Sequence, residues 1–190
     1  VYSDHIEIVN EYGPTECTVD CTFYKIAPGR RIGDIPIGQT VANCWNFIVD
    51  RHGHLLPRGA SGELCFAGIQ VARGYWRLPE RTAEVFGDCP FVAADAWGRK
   101  GRMYHTGDLA RYNAEGLLEY QGRIDFQVKL RGFRIELGEI ESRAAQYAGV
   151  RQAVAVVHNG QHLVLYYTCS APVDKGTLKS FLGGTLAEYM

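Results

Sequence analysis

The sequence predicts an α+β protein: a twisted, mostly antiparallel, barrel-like β segment followed by a small unit of strands and helices. Three observations carry this. Over the first two thirds of the chain, short apolar runs are separated by glycine-rich turns. Leu137, Ile140, Ala144 and Tyr147 then recur at helical spacing. Further on, two apolar runs flank Asn159-Gly160, the strongest hairpin signal in the chain.

Taken in order, Ile6 and Ile8 mark an apolar strand that Gly13-Pro14 ends in a turn. Asn46 to Val49 is a strand followed by the hairpin-type turn Asp50 to Gly53, and Glu63 to Phe66 is a strand between Gly62 and Gly68. Pro79 to Phe86 reads as a short helix with proline at its first position. Leu109 to Tyr112, the turn Asn113 to Gly116 and Leu117 to Tyr120 form a hairpin. Gln127 to Leu130 and Phe133 to Glu136 are strands around Arg131-Gly132. The helix from Leu137 is capped by Gly149, and Val150 to Val157 pairs with Leu163 to Tyr167. From Asp174 a second helix sets Leu178, Phe181, Leu182, Leu186 and Tyr189 on one side, weakened by roughly 2 kcal/mol at Gly183-Gly184. Strand pair, helix, strand pair, helix is a compact α+β layer. Its boundary with the preceding β segment falls near Arg123 to Asp125, giving units 1–124 and 125–190.

Composition narrows the function. The chain has 190 residues, 46% of them apolar and 22% charged, an ordinary globular balance. Twenty basic against 21 acidic residues leave a net charge of −1, which removes any bulk electrostatic case for nucleic acid or an anionic membrane. Apolar stretches such as Ala153 to Val157 fall far short of the ~20 residues of a membrane helix. The first ten residues carry Asp4 and Glu7 and do not read as a signal peptide. A start at Val1 rather than Met is what a piece of something larger would show. Cysteines 17, 21, 44, 65, 89 and 169 include no C-x-x-C pair and read as reduced thiols of a cytoplasmic protein. The histidines complete no convincing zinc spacing, so the Cys and His residues read as loop and core.

Four segments carry chemistry. In Asn10-Glu11-Tyr12-Gly13-Pro14-Thr15-Glu16 the turn can present a flat aromatic, a phosphate-binding hydroxyl and a hard oxygen ligand, although a strand-ending turn has the same look. In Tyr104-His105-Thr106-Gly107-Asp108 an aspartate after glycine can accept from vicinal hydroxyls, as can many turns that bind nothing. From Gly122 to Glu141, basic residues cluster around glycines ahead of an acidic helix start, the pattern of an edge hairpin as much as of a site. Gly62-Glu-Leu-Cys-Phe-Ala-Gly68, Gly74-Tyr-Trp and Pro79 to Thr82 read as scaffold.

Together, in this order and spacing, the segments resemble the successive signature motifs of nonribosomal peptide synthetase adenylation domains, within the acyl-adenylate-forming enzymes. The resemblance spans Asn-x-Tyr-Gly-Pro-Thr-Glu, Gly-Glu-Leu with Val71 to Tyr75, Tyr-x-Thr-Gly-Asp-Leu, and the run from Gly122 to Glu141. Leu186-Ala-Glu-Tyr-Met190 resembles the motif that follows, with Ala187 in place of proline. It implies a nucleotide- (ATP, AMP) binding ligase of secondary metabolite biosynthesis. An amino acid carboxylate attacks the α-phosphorus of ATP, pyrophosphate leaves, and the phosphopantetheine thiol of a peptidyl carrier protein captures the aminoacyl group.

By motif position, the resemblance implies that Tyr12 stacks on adenine, Thr15 binds phosphate and Glu16 holds Mg²⁺. Asp108 would take the ribose hydroxyls, Arg123 ribose or phosphate, and Tyr120 would pack on the nucleotide. Asp125 would be the hinge of a small C-terminal lid, with Lys129 to Phe133 facing the pantetheine path. Glu11, Val19 and Asp20 match pocket positions, and two acids there would favour a polar or cationic amino acid. The family's phosphate loop and its catalytic lysine have no counterpart in this chain, so the chain alone is expected to be inactive without the rest of the adenylation domain. A stand-alone acyl-carrier or coenzyme A ligase is the runner-up within the enzyme class. Outside it stands a non-catalytic docking module for a carrier or small accessory protein.

Overall fold

Gly13 begins the architecture because only glycine fits where it stands. A Cβ there would lie 2.1 Å from the Val19 carbonyl oxygen, so the chain can fold tightly back on itself after β1 (Ile8–Tyr12). The computed structural model describes residues 6–27, 35–93, 101–124 and 127–190. Pro14 leads into a 3-10 turn at Thr15–Cys17, closed by Thr18 in the left-handed region. β2 (Thr22–Ile26) then returns antiparallel to β1, with Tyr12 opposite Thr22, and takes β3 (Gln39–Thr40) on its other edge.

The main sheet is built on β4 (Cys44–Val49), β5 (Gly62–Gly68), β6 (Phe86–Asp88), β7 (Arg102–Tyr112) and β8 (Leu118–Arg123). β4, β5 and β7 are neighbours, and the outer edge of β7 is shared by β6 at its start and β8 at its end. β5 is buried on both faces. Leu64 and Phe66 enter one core with Ile48, Tyr104, Ala110 and Leu118, while Cys65 and Ala67 enter a second with Val49, Cys89 and Met103. This is why its sequence is an almost unbroken apolar run rather than an alternating one. The helix α1 (Pro79–Val85) starts at its proline and runs directly into β6.

In the remaining residues, β9 (Gln127–Leu130) and β10 (Phe133–Glu136) form a hairpin, followed by α2 (Leu137–Ala145). β11 (Val150–His158) and β12 (His162–Cys169) pair across Asn159 and Gly160, both at positive φ as the tight turn requires. α3 (Lys175–Gly183) is capped by the Asp174 carboxylate, which accepts the Thr177 N–H at 2.9 Å. Leu130, Ile135, Leu137, Ile140 and Ala155 make the core of this unit. The chain thus divides into two compact units, Val1–Ile124 and Asp125–Met190.

One expectation, the length of the second helix, is corrected. Tyr104 to Asp108 is part of an 11-residue strand. The second helix does not reach Tyr189: it stops at Gly183, where two consecutive glycines weaken helical backbone, and Leu186 and Met190 reach the core from beyond it. The hairpin-type turn at Asp50 is present: Asp50 Oδ1 accepts the His52 and His54 N–H groups, and Val49 bridges antiparallel to Leu55. The strands β2 and β3, unmarked in the sequence, complete the first sheet. Among the described residues no helix is long and apolar enough to cross a membrane.

Candidate functional site

Two irregularities in strand pairing assemble the site. On β5, Glu63 faces Leu109 and Cys65 faces His105, so the single residue Leu64 lies opposite three of β7. Those three, Thr106 to Asp108, are held as a bulge. The Thr106 hydroxyl donates to the Leu64 carbonyl at 2.6 Å and accepts the Asp108 N–H at 2.9 Å. Gly107 has φ +70, and its N–H donates to Glu63 Oε1 at 3.0 Å. Bulges of this kind re-aim a side chain, here the carboxylate of Asp108.

The second irregularity lies on β8. Asp108 pairs with Arg123 and Ala110 with Tyr120. Asp108 and Ala110 are two apart and share a face of β7, so their partners share it too, although Tyr120 and Arg123 are three positions apart. The extra residue is accommodated at Gln121-Gly122, where Gly122 takes φ +118.

The result is a cluster centred on Asp108. Arg123 Nη1 lies 2.7 Å from Asp108 Oδ1, with side chains only 16% and 10% exposed. The Tyr12 hydroxyl, 96 residues away in sequence, donates to Asp108 Oδ2. Burial and then the Asp108 carboxylate hold the Tyr12 phenol far above its ordinary range, so it remains a donor. The Tyr12 ring lies 6.1 Å from that of Tyr120 and 6.2 Å from Phe66, and Tyr120 is exposed at the rim.

One turn beyond Tyr12, Glu16 is buried, and its Oε1 accepts the Tyr75 hydroxyl at 2.6 Å. Its carbonyl also accepts the Ala72 N–H at 2.8 Å, which straps the Val71 to Trp76 segment onto the 3-10 turn. Tyr75 is fixed in turn by its N–H to Thr82 Oγ1 at 2.9 Å. A segment that reads as scaffold therefore directly holds a candidate ligand.

Not all the sequence candidates converge. Thr15, Glu11, Val19 and Asp20 are exposed. Glu11 stands between Asn10 and Tyr12 on β1 and points to the opposite face from both. Val19 sits at φ 72 on the chain that closes over Gly13. Asp125 lies outside the described residues. Conversely, Tyr75, Glu63 and His105 lie in segments marked in the sequence but carry no site role there; each acts through a partner across a sheet or loop. Glu63 and His105 (Oε2 to Nδ1, 2.9 Å) brace the bulge that carries Asp108. The arrangement as a whole offers a carboxylate in an aromatic and cationic frame, suited to a sugar hydroxyl pair beside a base.

Known proteins resemble this chain in sequence and in fold. The family model described as "AMP-binding enzyme" matches residues 2–76. The chain is 42% identical over 193 residues to tyrocidine synthase 2 of Brevibacillus parabrevis, covering all of this chain and 5% of that protein. It is 40% identical to tyrocidine synthase 1 of the same organism, again over the whole chain and 17% of the relative. Among solved structures, IdnL1 superposes with a TM-score of 0.84 at 31% identity, covering 96% of this chain and 38% of that one. Holo-PA1221, described as an NRPS protein containing adenylation and PCP domains bound to a vinylsulfonamide inhibitor, gives 0.77 at 33% identity over 91% of this chain and 30% of its own. The chain thus spans a small part of the relatives it matches.

Proposed function

From the premise that this chain is a portion of an adenylation domain of the nonribosomal peptide synthetase type, we propose that it supplies the nucleotide-gripping half of an amino-acid-activating site. The observation that carries the proposal is a cluster drawn from three strands, in which Tyr12 and Arg123 both bond to the Asp108 carboxylate and Tyr120 lies against the Tyr12 ring. A carboxylate has about four acceptor positions, enough to hold Tyr12 and Arg123 and still receive two ribose hydroxyls. Tyr12 and Tyr120 offer ring faces to adenine, and Arg123 neutralises charge beside the ribose and α-phosphate. Thr15, exposed at the start of the 3-10 turn, is positioned to donate to a phosphate oxygen.

In the reaction proposed for the whole protein, the amino acid carboxylate attacks the α-phosphorus of ATP and the bond to the bridging β-oxygen breaks. Pyrophosphate leaves and aminoacyl-AMP remains. Such a step needs positioning and charge neutralisation more than a protein nucleophile. Glu16 fits a Mg²⁺ role: it is a buried carboxylate oriented by Tyr75, and Mg²⁺ is usually held by one or two carboxylates with phosphates and water. Mg²⁺ bound there would offset negative charge on the phosphates. A phosphopantetheine thiol on a carrier domain would then take the aminoacyl group and release AMP.

Residues 125–190 are proposed as the lid of this site, with Asp125 as hinge, and Glu11, Val19 and Asp20 as contributors to the amino acid pocket. The cytoplasmic setting rests on the cysteines, all six of which are free. A small accessory protein is a further proposed partner, and the 190-residue chain alone is expected to be inactive. The test is amino-acid-dependent pyrophosphate exchange in the longer protein. Asp108→Asn and Arg123→Met should each lower kcat/KM for ATP by roughly 100-fold. Wild-type exchange in both, with the fold intact, would overturn the assignment.

A further inference from the structure

The bulge that presents Asp108 has a second side. On it, Glu63, Cys65 and His105 bring one carboxylate oxygen, one thiol sulfur and one ring nitrogen within 4.8 Å of one another. Glu63 and Cys65 are two apart on β5 and share a face, and His105 is the register partner of Cys65 on β7. The approach is close: Cys65 Sγ to His105 Nδ1 is 3.3 Å, and His105 Nδ1 to Glu63 Oε2 is 2.9 Å. Around a tetrahedral ion with bonds of about 2.0 to 2.3 Å, ligand atoms lie roughly 3.3 to 3.6 Å apart. The two contacts made by His105 Nδ1 are within a few tenths of an ångström of that spacing, and the third pair, Cys65 with Glu63, lies within 4.8 Å.

We infer that Glu63, Cys65 and His105 form a binding site for a borderline divalent cation of the Zn²⁺ class. A mixed S, N, O donor set selects such an ion over Mg²⁺ or Ca²⁺, which prefer all-oxygen shells. Three protein ligands leave a fourth position for water, reached from the side where His105 and Glu63 are part-exposed. The opposite wall is apolar and sulfur-rich, with Cys89 and Met103 packed in the same cluster as Cys65. Supporting contacts exist as well: Gly107 N–H holds Glu63 Oε1, leaving Oε2 turned to the triad. On binding, the Cys65 S–H proton passes to solvent and the neutral His105 ring carries its single proton on Nε2, so that the Cys65 sulfur and His105 Nδ1 each donate a pair to the ion; no redox change occurs.

Because His105 and Glu63 also brace Gly107, an occupied site ties the bulge of Asp108 to β5. The site does not depend on what Asp108 binds.

The test is Co²⁺ titration of the full 190-residue chain, with Zn²⁺ competition against a chromophoric chelator and proton release read in weak buffer. One equivalent of Co²⁺ should produce a thiolate charge-transfer band, displaced by Zn²⁺. Cys65→Ser should abolish the band, and His105→Gln, at a part-exposed position, should weaken Zn²⁺ binding by more than about tenfold. Cys169→Ser should change nothing, since that cysteine is exposed and remote in sequence. If Cys65→Ser does not fold, His105→Gln and Glu63→Gln carry the test. Absence of a charge-transfer band in the wild type, a band lost only with Cys169, or unchanged affinity in His105→Gln would each overturn the inference.

Discussion

Replacing Gly122 by alanine isolates the backbone device that makes the candidate site. Tyr120 and Arg123 share a face only because the chain spends an extra residue at Gln121-Gly122, with Gly122 at φ +118. A Cβ added there meets nothing within 4 Å, so no steric clash contributes. The whole cost is conformational. An alanine forced into this region loses on the order of 1–3 kcal/mol. Alternatively the strand relaxes, the extra residue is absorbed elsewhere, and Arg123 leaves Asp108; loss of that part-buried pair costs a similar amount. Either route gives the same sign, and they differ in the second readout. Urea unfolding should show a lower midpoint with an unchanged m-value. In the longer protein, a weakened ATP interaction would accompany the relaxed register but not the strained one. Gly87→Ala is the control: it too has open space, but its φ is ordinary and alanine there should be neutral or slightly stabilising. Equal midpoints for Gly122→Ala and Gly87→Ala would refute the claim that a glycine-only bulge sets the register.

The two arginine–carboxylate pairs should respond very differently. Arg123→Met leaves Asp108 in a largely buried setting and should cost about 3 kcal/mol, whereas Arg111→Met, from a pair 47% and 33% exposed, should cost under about 1 kcal/mol in the same urea titration. Asp174→Ala removes the N-cap of α3 and should lower stability by about 1 kcal/mol, with Asp174→Asn retaining most of it. The thiol of Cys21 is pushed up from 9.0 to about 12, chiefly by hydrogen bonding with Cys17, with burial adding to it. The folded state therefore keeps a proton that the unfolded chain gives up above pH 9.0, so this contribution is intact below that pH and is lost progressively toward about 12. Urea midpoints measured up that range should fall less steeply in Cys21→Ala.

Much of the chain could be read locally. The hairpin at Asn159-Gly160, the proline-started α1 and the stripe of α2 rest on turn chemistry and periodicity, which act over a few residues. Reading failed where the partner was distant. β7 contains Thr106-Gly107-Asp108, which resembles a turn in isolation, and pairing of the strand around it with β5 and β8 holds it as a bulge within β7. Leu186 and Tyr189 continue the helical spacing of α3, yet two consecutive glycines end the helix first.

The same division runs through the candidate site. Residue types were legible: a tyrosine and a glutamate about a Gly-Pro turn, an aspartate after glycine, an arginine after glycine, in an order that resembles one family. Tertiary structure decided their relations, joining Tyr12 to Asp108 across 96 residues and Glu16 to Tyr75 across 59. It also turned Glu63, Cys65 and His105, unremarkable in sequence, into a cluster. Side-chain alternation along a strand is a local property, but which strand lies opposite, and in what register, is settled by burial of the whole sheet. That is why the chemistry of the parts precedes the fold, and their geometry does not.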